Sequence, residues 1–99
     1  MAYELKLPPD TERQIADFIL NGFIGNAAQL AAANEIQLSL DKLKTNPKLG
    51  TSPPGPFESR PIYRFAVTVG SKAVPVQATY KVHERSKVVV ILGFERIML

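Results

Sequence analysis

The sequence contains no cysteine, a single histidine and no long apolar segment. Without cysteine the chain can form neither a disulfide framework nor a thiolate metal site, which is typical of a reducing cytosol. One histidine also argues against a histidine-rich metal centre, so we expect neither a metal nor a cofactor. No apolar run approaches the ~18 residues of a membrane helix, and residues 1–4 do not resemble an export signal. We therefore expect a cytoplasmic protein that has no membrane partner.

The composition is that of an ordinary globular protein. Its 99 residues are 45% hydrophobic and 21% charged, which predicts one domain over residues 1–99 with a modest core. The net charge of +3 is unevenly distributed, because residues 1–47 carry four basic and six acidic side chains, whereas residues 48–99 carry eight basic and three. The basic second half indicates a polyanionic partner, and an ordinary solvated surface is the alternative.

The most apolar stretch of the chain is Lys87–Glu95. Val88, Val90, Leu92 and Phe94 would lie on one face of a strand and Val89 and Ile91 on the other, so the pattern predicts a central strand that is covered on both faces. We expect the function to be carried out on the sheet beside this strand, or at its charged end, Glu95-Arg96.

The rest of the chain predicts two helices and three more strands. A short strand over Tyr3–Leu7 precedes a helix that begins at Asp10 or Thr11, where Thr11 and Gln14 have the spacing of a capping box. A second helix is predicted from about residue 27 to 44, followed by a Pro-rich loop over residues 51–61 and strands over 62–69 and 74–83. The order is β-α-α-β-β-β.

This order predicts an α+β fold with two layers, in which a helix hairpin covers one face of a mainly antiparallel four-stranded sheet. The second helix should bury a stripe made of Leu30, Ala33, Ile36, Leu40 and Leu43. In the third strand, Tyr80 has the parity of the core and should face the helices.

Several segments together resemble the RelE/ParE superfamily of bacterial toxins. They are Asn26–Leu30 at the start of the second helix, Leu43–Gly50 at its end, the pair Tyr63-Arg64, Tyr80-Lys81-Val82, and the apolar strand Val88–Leu92. The resemblance covers nearly the whole chain, and it rests on the ordered set of segments rather than on one motif.

This resemblance implies the toxin of a type II toxin–antitoxin module, with a cognate antitoxin protein as partner. RelE-like members cut messenger RNA on the ribosome, and that is the function we expect. ParE-like members instead inhibit DNA gyrase without being enzymes. A catalytically inactive relative that acts as an interaction module, or an unrelated small α+β interaction domain, is a further alternative.

Metal-free cleavage of RNA requires a base for the ribose 2′-hydroxyl, cations beside the phosphate and an acid for the leaving oxygen. The cationic candidates are Arg64, Lys81 and Arg96, and His83 is the candidate acid or base because its ordinary pKa suits neutral solution. Arg60 joins Arg64, Lys81 and Arg96 as a residue expected to bind RNA. The sequence departs from the RelE pattern at Ala66 and Gln77, where basic residues would be expected.

Apolar residues beyond the needs of the core predict a protein partner. The second helix has more apolar positions than one stripe requires, and the chain ends in Ile97-Met98-Leu99. We expect a segment of the antitoxin, or a second copy of this chain in a homodimer, to dock on the helix hairpin and the nearby sheet edge. The alternative is that residues 97–99 fold back onto their own core.

Overall fold

The computed structural model describes residues 2–51 and 60–97, which form two helices and four strands in the predicted order. The elements are β1 (Glu4–Lys6), α1 (Pro9–Gly22), α2 (Asn26–Thr45), β2 (Ile62–Val69), β3 (Lys72–His83) and β4 (Val88–Arg96). Most of the predicted Pro-rich loop lies outside the described residues. Its first residue, Thr51, forms an isolated β-bridge with Ile62, in which each backbone N–H donates to the carbonyl of the other residue.

The strands form one sheet in the order β1-β4-β3-β2, so the prediction that β4 is central is confirmed. β2, β3 and β4 are antiparallel neighbours, whereas β1 pairs with β4 in parallel. The sheet is therefore mixed rather than purely antiparallel. The parallel pair follows from the connection, because the helices between β1 and the later strands allow the chain to cross over the sheet.

Both helices pack on one face of this sheet and enclose the core. In α2 the fully buried positions are Ala32, Ile36, Leu40 and Leu43. The predicted stripe was wrong at its first position, because Leu30 is 65% exposed and Ala32 takes its place in the core. The buried residues recur at intervals of three to four, so the helix is rotated slightly away from the face expected from Leu30.

A β-bulge interrupts β4 and reverses which of its side chains face the helices. Ile91 pairs with Tyr80 and Gly93 pairs with Thr79, so Leu92 is an extra residue without a partner on β3. Phe94 consequently joins Val89 and Ile91 on the helix side, where it is 4% exposed. The prediction that Phe94 shares a face with Val88 and Val90 was therefore wrong, because uninterrupted alternation was assumed.

The predicted capping box between Thr11 and Gln14 does not form. The helix begins at Pro9, which needs no hydrogen-bond partner at that position, and no side chain caps it. Thr11 is instead buried, and its hydroxyl donates to the carbonyl of Ile91 at 2.6 Å. The side-chain oxygen of Gln14 accepts a hydrogen bond from the backbone N–H of Phe94 at 2.8 Å. These two side chains thus satisfy backbone groups on either side of the bulge.

Tyr80 occupies the core, as its parity predicted, and it also holds the chain that follows α2. Its ring is fully buried, and its hydroxyl donates to the carbonyl of Pro47 at 2.6 Å and accepts from the N–H of Gly50 at 2.9 Å. Residue 50 must be glycine for this approach, because a Cβ there would lie 2.5 Å from the tyrosine hydroxyl. Burial raises the pKa of Tyr80, and the Gly50 N–H opposes that rise.

Candidate functional site

The sheet face opposite the helices, called here the open face, carries most of the candidate residues. In each strand it is formed by the side chains that alternate with those of the core. Strand pairing arranges these side chains in rows across the sheet. The polar and charged members on β1, β2, β3 and β4 are Glu4, Lys6, Arg64, Thr68, Gln77, Thr79, Lys81, His83 and Glu95.

One row joins two lysines across three strands. Lys6 pairs with Val90 in parallel, and Val90 pairs with Lys81 on its other side. Both lysines are exposed and Val90 is half-buried between them. Neighbouring strands are ~4.8 Å apart, so the two lysine backbones are separated by about twice that distance. If the β2–β3 register is continued beyond Ile62, Arg60 comes opposite Lys81 and extends the row.

A second row joins Arg64, Gln77 and Glu95. Arg64 pairs with Gln77, and Gln77 pairs with Glu95. The side-chain amide of Gln77 donates to a carboxylate oxygen of Glu95 at 2.5 Å, and its oxygen lies 3.5 Å from Nε of Arg64. The amide therefore presents its donor to the anion and its acceptor to the cation, and it stands between two charges that do not meet directly.

His83 lies at the far end of the open face from this second row. It is exposed and pairs with Val88 at the last position of β3. Six residues separate it from Gln77, which corresponds to ~20 Å along a strand. His83 and Arg64 therefore cannot act on the same phosphate, although one extended strand of RNA could reach both.

Arg96 lies on the other side of the sheet. It pairs with Val76, which is fully buried under the helices, and the members of such a pair share a face. The bulge causes this placement, because uninterrupted alternation through Leu92 would put Arg96 on the open face and Glu95 beneath the helices. Arg96 lines a cleft of about 370 Å³ between α1 and the ends of β3 and β4, together with Asp17, Phe18, Lys72 and Phe94.

The structure therefore gathers only part of the predicted site. Arg64 and Lys81 share the open face, Arg60 stands at its edge, His83 lies at one end and Arg96 faces away. Two residues of this face were missed as candidates, Lys6 and Glu95. The alternation of Tyr3–Leu7 predicted which face of β1 carries Lys6, but it could not predict that β1 pairs with β4. Glu95 was placed at the charged end of β4, but the bulge that turns it toward Gln77 has no clear signature in the sequence.

Among the residues that the structure describes, the charges of the open face are not neutralised by ion pairs. The ion pairs there are Asp41 with Lys44 on α2 and Glu84 with Lys87 in the turn before β4. In that turn, the hydrogen bond that Tyr3 donates to Glu84 raises the pKa of the tyrosine. Burial likewise raises the pKa of Tyr63 on the helix side of β2.

Two features that the described residues lack bear on the class of site. Residues 2–51 and 60–97 contain no cluster of three side chains able to hold a metal ion. Over the same residues, no helix is both long and apolar enough to cross a membrane. The chemistry that the open face itself offers is electrostatic and acid–base chemistry by exposed lysine, arginine, glutamate and amide groups.

The β-α-α-β-β-β order, the mixed sheet and the helix pair on one face define the fold of RelE toxins. The structure aligns with a chain of the toxin–antitoxin complex RelBE2 from Mycobacterium tuberculosis with a TM-score of 0.59 and 13% identity, over 98% of this chain and 100% of that one. A mutant of the E. coli toxin RelE in the free state aligns with a TM-score of 0.57 and 14% identity, over 96% of this chain and 83% of that one. No protein-family model and no curated protein matches the sequence.

Proposed function

We propose that this protein is the toxin of a toxin–antitoxin module and that it acts on messenger RNA at the ribosome. The fold supports the first part, because it is shared over almost the full length with toxin structures at a TM-score near 0.6. One observation supports the second part. The open face presents Lys6, Arg64 and Lys81 on one exposed surface, and none of them is in an ion pair within the described residues.

The small number of cations on this face favours an RNA that another body already holds. Each cation that contacts a phosphate adds to affinity through counterion release, and three or four such contacts give only modest, salt-sensitive binding. The ribosome would supply the missing position and orientation, which is the main requirement for reaction at a single phosphate.

The proposal is tested by inducible expression of the full chain in bacteria. Growth should stop, and transcripts that are being translated should be found cut within the coding region. Inhibition of DNA gyrase would instead produce broken DNA and an SOS response with intact transcripts. An inactive interaction module would arrest neither growth nor translation. Either of these results would contradict the proposal.

The contribution of the open face is tested with single alanine variants. Arg64→Ala should reduce transcript cleavage most, and Lys81→Ala and Lys6→Ala should each weaken it less, because each lysine supplies one of several phosphate contacts. Arg13→Ala is the matched control, since Arg13 is an exposed arginine on α1. Exposed substitutions of this kind cost little stability, so equal expression of all four variants is expected. Full cleavage by the three open-face variants would make this face an ordinary solvated surface.

The helix layer is the proposed docking surface of the antitoxin. Leu20, Ile24, Leu30 and Leu38 are large apolar residues that are at least 62% exposed, and Ile24 reaches 98%. Ile24 lines a second cleft, also of about 370 Å³, which shares Asn21, Gly22 and Lys72 with the cleft at Arg96. Apolar surface beside clefts with charged rims is typical of a protein-binding site. The proposed surface also includes the sheet edge near the C-terminus, where Ile97 extends β4 by donating to the carbonyl of Pro75. Residues 98 and 99 lie outside the described part of the chain.

A further inference from the structure

We propose that Glu95 is the general base of the RNA cleavage reaction, with Gln77 as the residue that positions it and Arg64 as the cation beside the phosphate. This inference rests on the proposed function, and it adds the group that accepts the proton. It follows from the bulge in β4, which turns Glu95 onto the open face and removes Arg96 from it.

The geometry gives the carboxylate a fixed direction. One oxygen of Glu95 accepts the hydrogen bond of the Gln77 amide at 2.5 Å, while the opposite end of the same amide faces Nε of Arg64 at 3.5 Å. The remaining oxygen lone pairs of Glu95 stay available for a proton. Because Gln77 separates the carboxylate from the guanidinium, the two groups do not neutralise each other in a direct ion pair.

The spacing of the row suits a phosphodiester and its ribose. Arg64 and Glu95 lie on strands two apart in the sheet, so their backbones are ~10 Å from each other and both side chains extend from the same face. A phosphate can then lie at Arg64 while the ribose 2′-hydroxyl reaches Glu95. Lys81 is four residues from Gln77 along β3, or ~13 Å, which is suitable for a neighbouring phosphate but not for the reacting one.

The reaction is a transesterification within the RNA. A carboxylate oxygen of Glu95 takes the proton of the 2′-hydroxyl, and the 2′-oxygen forms a new bond to phosphorus. The bond between phosphorus and the 5′-oxygen breaks, and the 5′-oxygen leaves with the bonding electrons and takes a proton from solvent water. The hydroxide left by that water removes the proton from Glu95. The products are a 2′,3′-cyclic phosphate and a 5′-hydroxyl end, and Arg64 faces the charge that develops on the phosphate oxygens.

The test is single-turnover cleavage of messenger RNA on purified ribosomes by the full-length protein in excess. Glu95→Gln keeps the size of the side chain but cannot accept the proton. Its cleavage rate should therefore be lower by a factor of at least ~100, within the range of general-base catalysis. Glu95→Asp should restore part of the rate. Glu4→Gln is the matched control, because it removes the same charge from the same face, but on the edge strand β1. It should cleave at the wild-type rate.

Two further readouts separate the roles. Gln77→Leu removes the hydrogen bond that orients the carboxylate, so it should lower the maximal single-turnover rate without changing the ribosome concentration that gives half of that rate. A message with 2′-deoxyribose at the cleavage site should not be cut.

The outcomes distinguish the two proposals. If wild-type protein cleaves and Glu95→Gln cleaves equally fast, Glu95 is not the base, whereas the proposed function stands. If wild-type protein leaves ribosome-bound messages intact, both proposals are overturned. Cleavage of the 2′-deoxy message would show that another nucleophile attacks the phosphate, which would also reject this role for Glu95.

Discussion

At the scale of single residues, the hydroxyl of Tyr80 connects the sheet to the segment that leaves α2. It makes two hydrogen bonds to backbone groups of Pro47 and Gly50, in a region where the ring is inaccessible to water. The alternation of β3 was sufficient to place the ring in the core. It could not reveal the partners of the hydroxyl, because these lie 30 and 33 residues away and a parity pattern carries no information about distant loops.

Replacing Tyr80 with phenylalanine should therefore destabilise the protein while preserving the fold. The ring remains, but the Pro47 carbonyl and the Gly50 N–H lose their partner, and one or both must find water or remain unsatisfied. We expect the free energy of unfolding to fall by about 1–3 kcal/mol, measured by urea denaturation. Tyr3→Phe is the control, since its hydroxyl bonds to Glu84 at an exposed site, and it should change stability much less. An unchanged midpoint for Tyr80→Phe would show that the anchor is energetically unimportant.

The raised pKa of Tyr80 also predicts how stability depends on pH. In the unfolded chain a tyrosine ionises near its ordinary pKa of 10.0, whereas burial raises the pKa in the folded state. The stability from the neutral hydroxyl is thus fully present below pH 10 and is lost as pH rises through the folded-state pKa. We expect the urea midpoint to fall as the pH rises above about 10, and to fall less for Tyr80→Phe. A parallel decline in both proteins would assign the effect to other groups.

At the scale of secondary-structure elements, the bulge in β4 determines which residues the sheet presents. Uninterrupted alternation would have placed Arg96 on the open face and Glu95 under the helices. The number, order and approximate bounds of the elements could be predicted from the sequence, because long hydrophobic patterns dominate them. The bulge could not be predicted, because Leu92 is apolar like its neighbours. Thr11 and Gln14, which form hydrogen bonds to β4 on either side of the bulge, also have the spacing of a helix cap.

The hydrogen bond from Thr11 to the Ile91 carbonyl makes a testable contribution to stability. Thr11→Val keeps the shape of the buried side chain but removes the donor to the Ile91 carbonyl, and the loss should be about 1–3 kcal/mol by urea denaturation. Thr45→Val is the matched control, because the hydroxyl of Thr45 donates to the Lys42 carbonyl at 3.3 Å at the exposed end of α2. Its effect should stay within about 0.5 kcal/mol. Equal losses in the two variants would reject a special role for Thr11.

At the scale of the whole molecule, the sheet separates two surfaces of different chemistry. The open face combines exposed lysine and arginine side chains with Gln77 and Glu95, whereas the helix layer exposes leucine and isoleucine beside two clefts. Burial of apolar side chains favours a protein partner, and cations that form no ion pair with any described residue favour a polyanion. The sequence indicated both surfaces through the basic second half and the surplus of apolar residues in α2. It did not show that Leu20 of α1 and Ile24 in the connection to α2 contribute to the second surface.

Together with the proposed function, this separation predicts that toxicity and neutralisation by an antitoxin can be lost independently. Ile24→Asp places a charge on a side chain that is 98% exposed and that lines the cleft formed with Phe23, Ala28 and Val69. The variant should arrest growth as strongly as the wild type, but it should no longer be rescued by co-expression of the antitoxin. Arg64→Ala should behave in the opposite way, losing toxicity while the antitoxin still co-purifies with it. Expression in the presence and absence of the antitoxin, followed by pull-down, measures both properties. If Ile24→Asp is still neutralised, or if Arg64→Ala no longer binds the antitoxin, the antitoxin occupies the open face instead of the helix layer.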